Sequence, residues 1–243
     1  DCIFLDPARR NEHGGKTVAI SDCEPNVAKL EGLLLSKANR IMIKLSPMLD
    51  LSQALKELPH TQEVHIISVN NECKELLLLL GQTAPEEIPV HCVNLSTKGE
   101  QEKQLFVFTR EQEQHSECSY TDTLGNYLYE PNASLLKAGA FRSIAAAYSV
   151  KKLHPNSHLY TSETQIEGFP GRTFRIINRC SLNKKEIKEN LSDLKKANIT
   201  VRNFPATVAE LRKRIKLAEG GDTYLFASTL NDGQKILIRC GKV

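Results

Sequence analysis

The chain has 243 residues, 40% of them hydrophobic and 25% charged, with seven cysteines, no tryptophan and a formal net charge of +3. Such a composition belongs to a soluble globular protein with enough apolar material for a sizeable core, and the length predicts two domains rather than one. It excludes a disordered chain and a helical membrane protein, because the densest apolar run, Leu76 to Leu80, falls far short of the ~20 residues a bilayer requires.

The chain reads as opening in mid-strand, and no targeting segment is expected: Cys2 to Leu5 is a short apolar run that ends in Asp6-Pro7-Ala8-Arg9-Arg10. A buried parallel strand reads this way, and in open α/β sheets the chemistry lies just beyond the strands' carboxyl ends. Pro7 biases Asp6 away from helical geometry, so the carboxylate stands at a strand tip. On these residues alone, Asp6-Pro7 is either a stiffened turn or the start of a catalytic loop. Asn11 to Lys16 is polar, Thr17 to Ile20 extended, and a helix follows Ser21-Asp22-Cys23-Glu24-Pro25, with Val27, Leu30, Leu33 and Leu34 at helical spacing. Arg40 to Leu45 is a second strand, and Ser46-Pro47 after it repeats the opening pattern. If the two strands are parallel, both proline-stiffened loops lie on one edge of the sheet.

Ser52 to Leu58 predicts a short helix and Glu63 to Val69 a third strand. Asn70-Asn71-Glu72 reads as the cap of a helix over Cys73 to Leu80, ended by Gly81. Val90 to Leu95 and Gln104 to Phe108 read as a hairpin closing the sheet. The first block, residues 1–112, is thus strand-helix, strand-helix, strand-helix, hairpin.

Residues 113–170 are expected to form a helical linker region: Glu111 to Asp122 is polar, and Leu135 to Leu153 carries apolar residues at amphipathic helical spacing. The tyrosines of Tyr127 to Ala133 suit either an aromatic acceptor pocket or a domain interface. Residues 171–243 predict a small α+β domain: strand 174–178, helix 184–196, strand 199–203, helix 208–217, and two strands, 223–228 and 235–239, joined at Asn231-Asp232-Gly233.

Charge divides with this organisation. Residues 171–243 hold 16 Lys and Arg against 7 Asp and Glu, while the first 170 hold 16 against 22. A basic domain suits a polyanion, and Arg212, Lys213, Arg214 and Lys216 crowd one predicted helix, where they can track a phosphate backbone; the same charges also suit a solvated helix face. No metal site is expected. His154 and His158 are four apart, but Pro155 and Asn156-Ser157 argue against a helix that would align them. The cysteines form no Cys-x-x-Cys pair and read as reduced thiols, which places the protein in the cytoplasm.

Strand, Asp6-Pro7-Ala8-Arg9, helix, strand, helix, strand, helix and antiparallel hairpin resemble the second half of a class I S-adenosylmethionine-dependent methyltransferase domain. More specific are Tyr127-Leu128-Tyr129-Glu130-Pro131-Asn132-Ala133, Leu136-Lys137-Ala138-Gly139 and Leu153-His154-Pro155-Asn156-Ser157-His158-Leu159-Tyr160-Thr161. These resemble a bacterial methyltransferase family with a THUMP-like carboxyl-terminal domain, and the resemblance covers almost the whole chain. The fold it implies is α/β: the carboxyl-terminal half of a Rossmann-like methyltransferase sheet, then a small α+β, THUMP-like or ferredoxin-like domain.

The resemblance places Asp6-Pro7 in the acid-or-amide plus proline motif after the fourth strand, which faces methyl donor and acceptor, and Lys44-Leu45-Ser46-Pro47 in the loop after the fifth. Asp6 is then the group that orients or deprotonates the acceptor, with Pro7 fixing it. Arg9, Arg10, Ser46 and Pro47 are candidate substrate contacts, and an arginine there suits a phosphate or carboxylate. The Gly-rich loop that cradles the cofactor in this class is absent, as is the acidic ribose binder, and His13-Gly14-Gly15-Lys16 does not replace them. The chain is therefore expected to be an amino-terminally truncated methyltransferase whose full-length parent uses S-adenosylmethionine and acts on RNA. Two other functions stay open: a non-catalytic RNA-binding or scaffold module, and a methyltransferase for a small molecule or protein.

Overall fold

The computed structural model describes residues 1–9, 20–97 and 103–243, apart from the side chains of Arg9 and Asp22. It divides into two units, Asp1–His115 with Asn132–Ala140, and Ser116–Pro131 with Phe141–Val243. Arg10, Asn11 to Lys16 and the expected extended piece at Thr17 lie outside the described residues.

In the first unit the strands are β1 (Cys2–Leu5), β2 (Ala8–Arg9), β3 (Cys23–Glu24), β4 (Arg40–Leu45), β5 (Thr61–Val69), β6 (Glu72–Gly81), β7 (Pro89–Leu95) and β8 (Lys103–Thr109). The helices are α1 (Val27–Lys37), α2 (Leu51–Glu57), α3 (Arg110–His115) and α4 (Ala133–Ala138). Six strands form a sheet in the order β1-β4-β6-β5-β7-β8, and β2 pairs with β3 apart from it. β1 runs parallel to β4 with Leu5 opposite Ile43, and β5 runs parallel to β7. Alternation sets the core: Ile41, Ile43 and Leu45 of β4, Val64 and Ile66 of β5, and Val90 and Cys92 of β7 are buried, while the residues between them are mostly half-exposed. β1 lies at an edge of the sheet, and Phe4 is 57% exposed.

The expected helix over Cys73 to Leu80 is instead a strand. β6 runs antiparallel to both β4 and β5 and lies between them. Asn70 and Asn71 form a two-residue hairpin loop with φ of 51° and 64°, the left-handed backbone that a primed turn requires and that asparagine tolerates. They therefore reverse the chain rather than cap a helix. Leu76 to Leu80, helix formers by propensity, occupy a central strand where continuous apolar sequence suits neighbours on both sides. The hairpin expected over Val90 to Phe108 does form, with Pro89 opposite Thr109. The helices at Val27 and Ser52 form as α1 and α2, whose N-caps Asn26 and Asp50 accept from Lys29 N (3.2 Å) and Gln53 N (2.8 Å).

The amphipathic run from Leu135 does not form one helix. Gly139 takes φ 77° and its N–H bonds to the Leu135 carbonyl at 3.0 Å, closing α4. A new helix, α5 (Phe141–Tyr148), then starts in the second unit.

That unit has strands β9 (Tyr127–Pro131), β10 (Lys151–Lys152), β11 (Tyr160–Ser162), β12 (Gly171–Cys180), β13 (Asn198–Arg202), β14 (Thr223–Thr229) and β15 (Lys235–Lys242), and, besides α5, helices α6 (Lys184–Leu191) and α7 (Val208–Ile215). The region read as a helical linker thus supplies three of seven strands to a sheet ordered β10-β11-β9-β12-β15-β14-β13. β9, β10 and β11 are only two to five residues long, too short to show a strand period in the sequence. From β12 onward the expected elements form in order. Gly233, at φ 87°, turns the β14-β15 hairpin, and Asp232 Oδ1 accepts from Gln234 N at 2.8 Å. One face of the sheet packs Phe174, Phe226, Ile236 and Ile238 with Leu128, Leu153 and Leu159. The other packs Leu225, Ala227 and Leu237 with Leu191 of α6 and Leu211 of α7.

A buried amide network fixes the start of α4. Asn132 Oδ1 accepts from Ser134 N (3.1 Å), Ser134 Oγ (2.6 Å) and Leu135 N (3.3 Å), and its Nδ2 donates to Gln104 Oε1 (3.0 Å). Asn94 Nδ2 donates to the same Gln104 oxygen, and Asn71 Oδ1 accepts from Ala133 N at 2.8 Å. Removing the Asn132 amide strands several of these groups in a site with 1% exposure. Asn132→Ala is therefore expected to lower the unfolding free energy by about 2–3 kcal/mol, read from urea unfolding.

Candidate functional site

Because β1 and β4 are parallel neighbours, the residues just past their carboxyl ends meet. Asp6, Pro7, Ser46 and Pro47 line one cleft of ≈ 210 Å³, with Cys23, Lys44, Leu49 and Glu75 completing its wall. Asp6 Oδ2 lies 2.5 Å from Lys44 Nζ, and Glu75 Oε1 lies 3.9 Å from the same ammonium. Lys44 sits on the penultimate position of β4 and points into this cleft, 31% exposed, while Asp6 is 53% exposed. Pro7 is buried. The hydrogen bond to Asp6 outweighs desolvation and raises the Lys44 pKa, so this lysine is an ammonium at neutral pH and cannot serve as a base.

Ser46-Pro47-Met48-Leu49 forms a tight turn. The Ser46 carbonyl accepts from Leu49 N at 3.1 Å, and Ser46 Oγ accepts from Met48 N at 3.2 Å, with Pro47 at the position where its fixed φ fits. Lys137 of α4 donates to the Leu49 carbonyl at 2.7 Å and braces the turn. Lys137 belongs to the sequence motif that carried the resemblance, and its role is to position the cleft wall. Arg9 lies on β2, and neither its side chain nor Arg10 is among the described parts.

The four basic residues on the predicted helix divide. Arg212 turns inward, 20% exposed, and donates to the Ala197 carbonyl at 3.2 Å. Arg214 is exposed but donates to the Leu182 carbonyl at 2.8 Å. Lys213 and Lys216 are exposed, the latter at the left-handed C-cap of α7 with φ 57°. A Thr207–Glu210 capping box fixes the other end of this helix.

A second charge cluster escaped the sequence reading. The Glu130 side chain, 2% exposed, is held between two arginines: Arg172 Nε donates to Oε2 at 2.9 Å, with Nη2 close to the same oxygen, and Arg202 Nη2 lies 2.8 Å from Oε1. Arg172 is directly opposite Glu130 on the neighbouring strand, which makes this a cross-strand pair. The register of β9 against β12 places Arg172 in it, and Arg202 reaches it from β13. Tyr129 is fully buried, its hydroxyl bonded to Ser162 Oγ at 2.9 Å and accepting from Ile166 N at 2.9 Å. This tyrosine is therefore core, not an open acceptor pocket.

His154 and His158 serve structure. His154 Nδ1 accepts from Asn156 N at 3.0 Å, and His158 stacks on Phe141 with ring centroids 3.7 Å apart. All seven cysteines are free, and burial pushes the Cys180 thiol up to about 11 and Cys240 up to about 12, so neither is a nucleophile. No helix is long and apolar enough to cross a membrane among the described residues.

A family model for a ferredoxin-like domain matches residues 127–170, and one for a THUMP-like domain matches residues 171–242. No curated protein matches the chain. A solved structure described as a "putative methyltransferase" from Porphyromonas gingivalis W83 is similar over 100% of this chain, with 40% identity and a TM-score of 0.90. The chain spans 60% of the length of that protein.

Burial, then Lys152 and Arg202, hold the His158 imidazole down at about 4, against 6.5 when free. Between these values the unfolded chain takes up a proton that the folded chain refuses, so this histidine removes stability as pH falls from 6.5 towards 4. His158→Asn, which keeps a residue tolerant of the local φ of 52°, is expected to flatten that loss. Urea midpoints at pH 7 and pH 4.5 measure it: the wild type should lose more between the two than the variant.

Proposed function

We propose that this chain, with its ferredoxin-like domain at 127–170 and its THUMP-like domain at 171–242, is the carboxyl-terminal portion of an S-adenosylmethionine-dependent methyltransferase that acts on RNA. The observation that carries this reading is the meeting of Asp6-Pro7 and Ser46-Pro47 in one cleft at the carboxyl ends of β1 and β4. The similarity of all of this chain to 60% of the P. gingivalis protein supports it.

The residues present fit part of a cofactor site only. A cleft of ≈ 210 Å³ is smaller than the roughly 300–1,000 Å³ that encloses a ligand of cofactor size, and no glycine lines it among the described residues. S-adenosylmethionine, when bound to the longer protein, supplies an electrophilic methyl group. The residues of this chain hold the acceptor: the Asp6 carboxylate accepts hydrogen bonds from an amine or exocyclic amino group, orients its lone pair and offsets positive charge that develops there. Lys44 fixes that carboxylate, and an incoming amino group competes with the ammonium for its oxygens. The basic domain attracts the polyanion, with Lys213, Arg214 and Lys216 as the exposed cations of α7 and its cap.

In the full-length parent, Asp6→Ala is expected to lower methyl transfer to RNA by about 10²-fold or more while RNA affinity holds. Transfer of labelled methyl groups reads the first and a filter-binding titration the second; undiminished transfer removes Asp6 from the mechanism. RNA binding without transfer in the wild-type parent would instead favour the non-catalytic module. Replacing Lys213, Arg214 and Lys216 with Gln should weaken RNA binding and reduce the slope of log K against log salt by roughly 2, as three lost phosphate contacts on a single strand require.

A further inference from the structure

Glu63 and His65 are two apart on β5, so their side chains leave the same face of the sheet. β7 runs parallel to β5, and its register sets His91 directly opposite His65. Three side chains with metal-ligating atoms therefore converge. His65 Nε2 lies 3.2 Å from Glu63 Oε2, His91 Nε2 lies 3.9 Å from that same oxygen, and all three ligand atoms fall within 4.8 Å of one another. The two imidazoles stack with centroids 4.4 Å apart and planes inclined by 7°.

We propose that Glu63, His65 and His91 form a binding site for a divalent transition-metal ion of the zinc type, clamping β5 to β7. In a tetrahedral site with bonds of 2.0–2.2 Å, neighbouring ligand atoms are roughly 3.3 Å apart. The spacings of 3.2 and 3.9 Å bracket that value; the rings, stacked with nearly parallel planes, must turn about their side-chain torsions to aim both lone pairs at one point. Two imidazole nitrogens with one carboxylate select zinc, cobalt or nickel over magnesium or calcium, which prefer all-oxygen shells. The histidines are about a quarter exposed, which admits an ion and leaves room for water as a fourth ligand.

The site is separate from the Asp6 cleft. Parallel β strands carry that cleft at their carboxyl ends, whereas His65 stands four residues before the end of β5, about 13 Å back along the strand. Its role is to fix two strands, not to touch substrate, and it stands whatever reaction the parent performs.

Titrating the metal-free, reduced full chain with Co²⁺ tests it. One equivalent is expected to bind with the visible absorption of a nitrogen and oxygen site, to lack the thiolate charge-transfer band that a cysteine site gives, and to be displaced by Zn²⁺. His65→Ala and His91→Ala should each weaken binding by at least about tenfold, as even outer partners of a metal ligand cost about 10–100-fold. His115→Ala, on α3, should leave it unchanged. If the alanine variants fail to fold, imidazole proton resonances of the wild type serve instead, and Zn²⁺ should shift those of two histidines out of seven. Absence of binding at micromolar Co²⁺, binding that survives both variants, or a thiolate band would overturn the proposal.

Discussion

Parallel pairing of β1 with β4 is the constraint on which the candidate site depends. Neither proline-containing loop makes a site alone, since Asp6 is half-exposed and Ser46 turns back on its own backbone. With Leu5 opposite Ile43, one register places the carboxylate of one strand tip against the lysine of the next. A slip by one residue would put Lys44 on the core side and bury an ammonium without a partner, so the hydrophobic pattern of β4 and the ion pair specify the same alignment. Packing and chemistry are thus set by a single geometric choice.

The next strand of the sheet contributes less directly. β6, inserted antiparallel between β4 and β5, brings Glu75 within reach of Lys44 and completes the cleft wall. The loop that makes this insertion possible, Asn70-Asn71, also supplies an amide to the network around Asn94, Gln104 and Asn132. That network starts α4, and α4 sends Lys137 to the turn after β4. Residues recognisable as a sequence motif therefore act by holding backbone in place rather than by meeting a substrate. Buried amides suit such work, because each one left unpaired would cost more than an ordinary contact returns.

Charge tells a similar story in the second unit. The excess of lysine and arginine is real, but several of its members are structural. Arg172 and Arg202 neutralise the buried Glu130, Arg212 holds a backbone carbonyl, and Arg239 pairs with Asp193 through two bonds of 2.9 and 2.8 Å. Arginine suits these positions because its planar fork satisfies several acceptors at once. The cations available to a polyanion are fewer than the count suggests.

What the amino-acid order determined by itself is local: the strand that ends at Asp6-Pro7, its repeat at Ser46-Pro47, the helices capped by Asn26 and Asp50, and nearly every element after Gly171, where Asp232-Gly233 dictates its own hairpin. Short-range sterics, capping and alternation decide such features, and they are written in adjacent residues. Tertiary structure decided the rest. Leu76 to Leu80 became a strand because two inner strands needed a partner between them, and Leu135 to Leu153 broke because Gly139 could take a backbone that ended the helix. Asp6 met Lys44, Glu130 met Arg172, and His65 met His91 only through cross-strand register, which depends on which strands lie side by side and cannot be read from the spacing of residues along one chain.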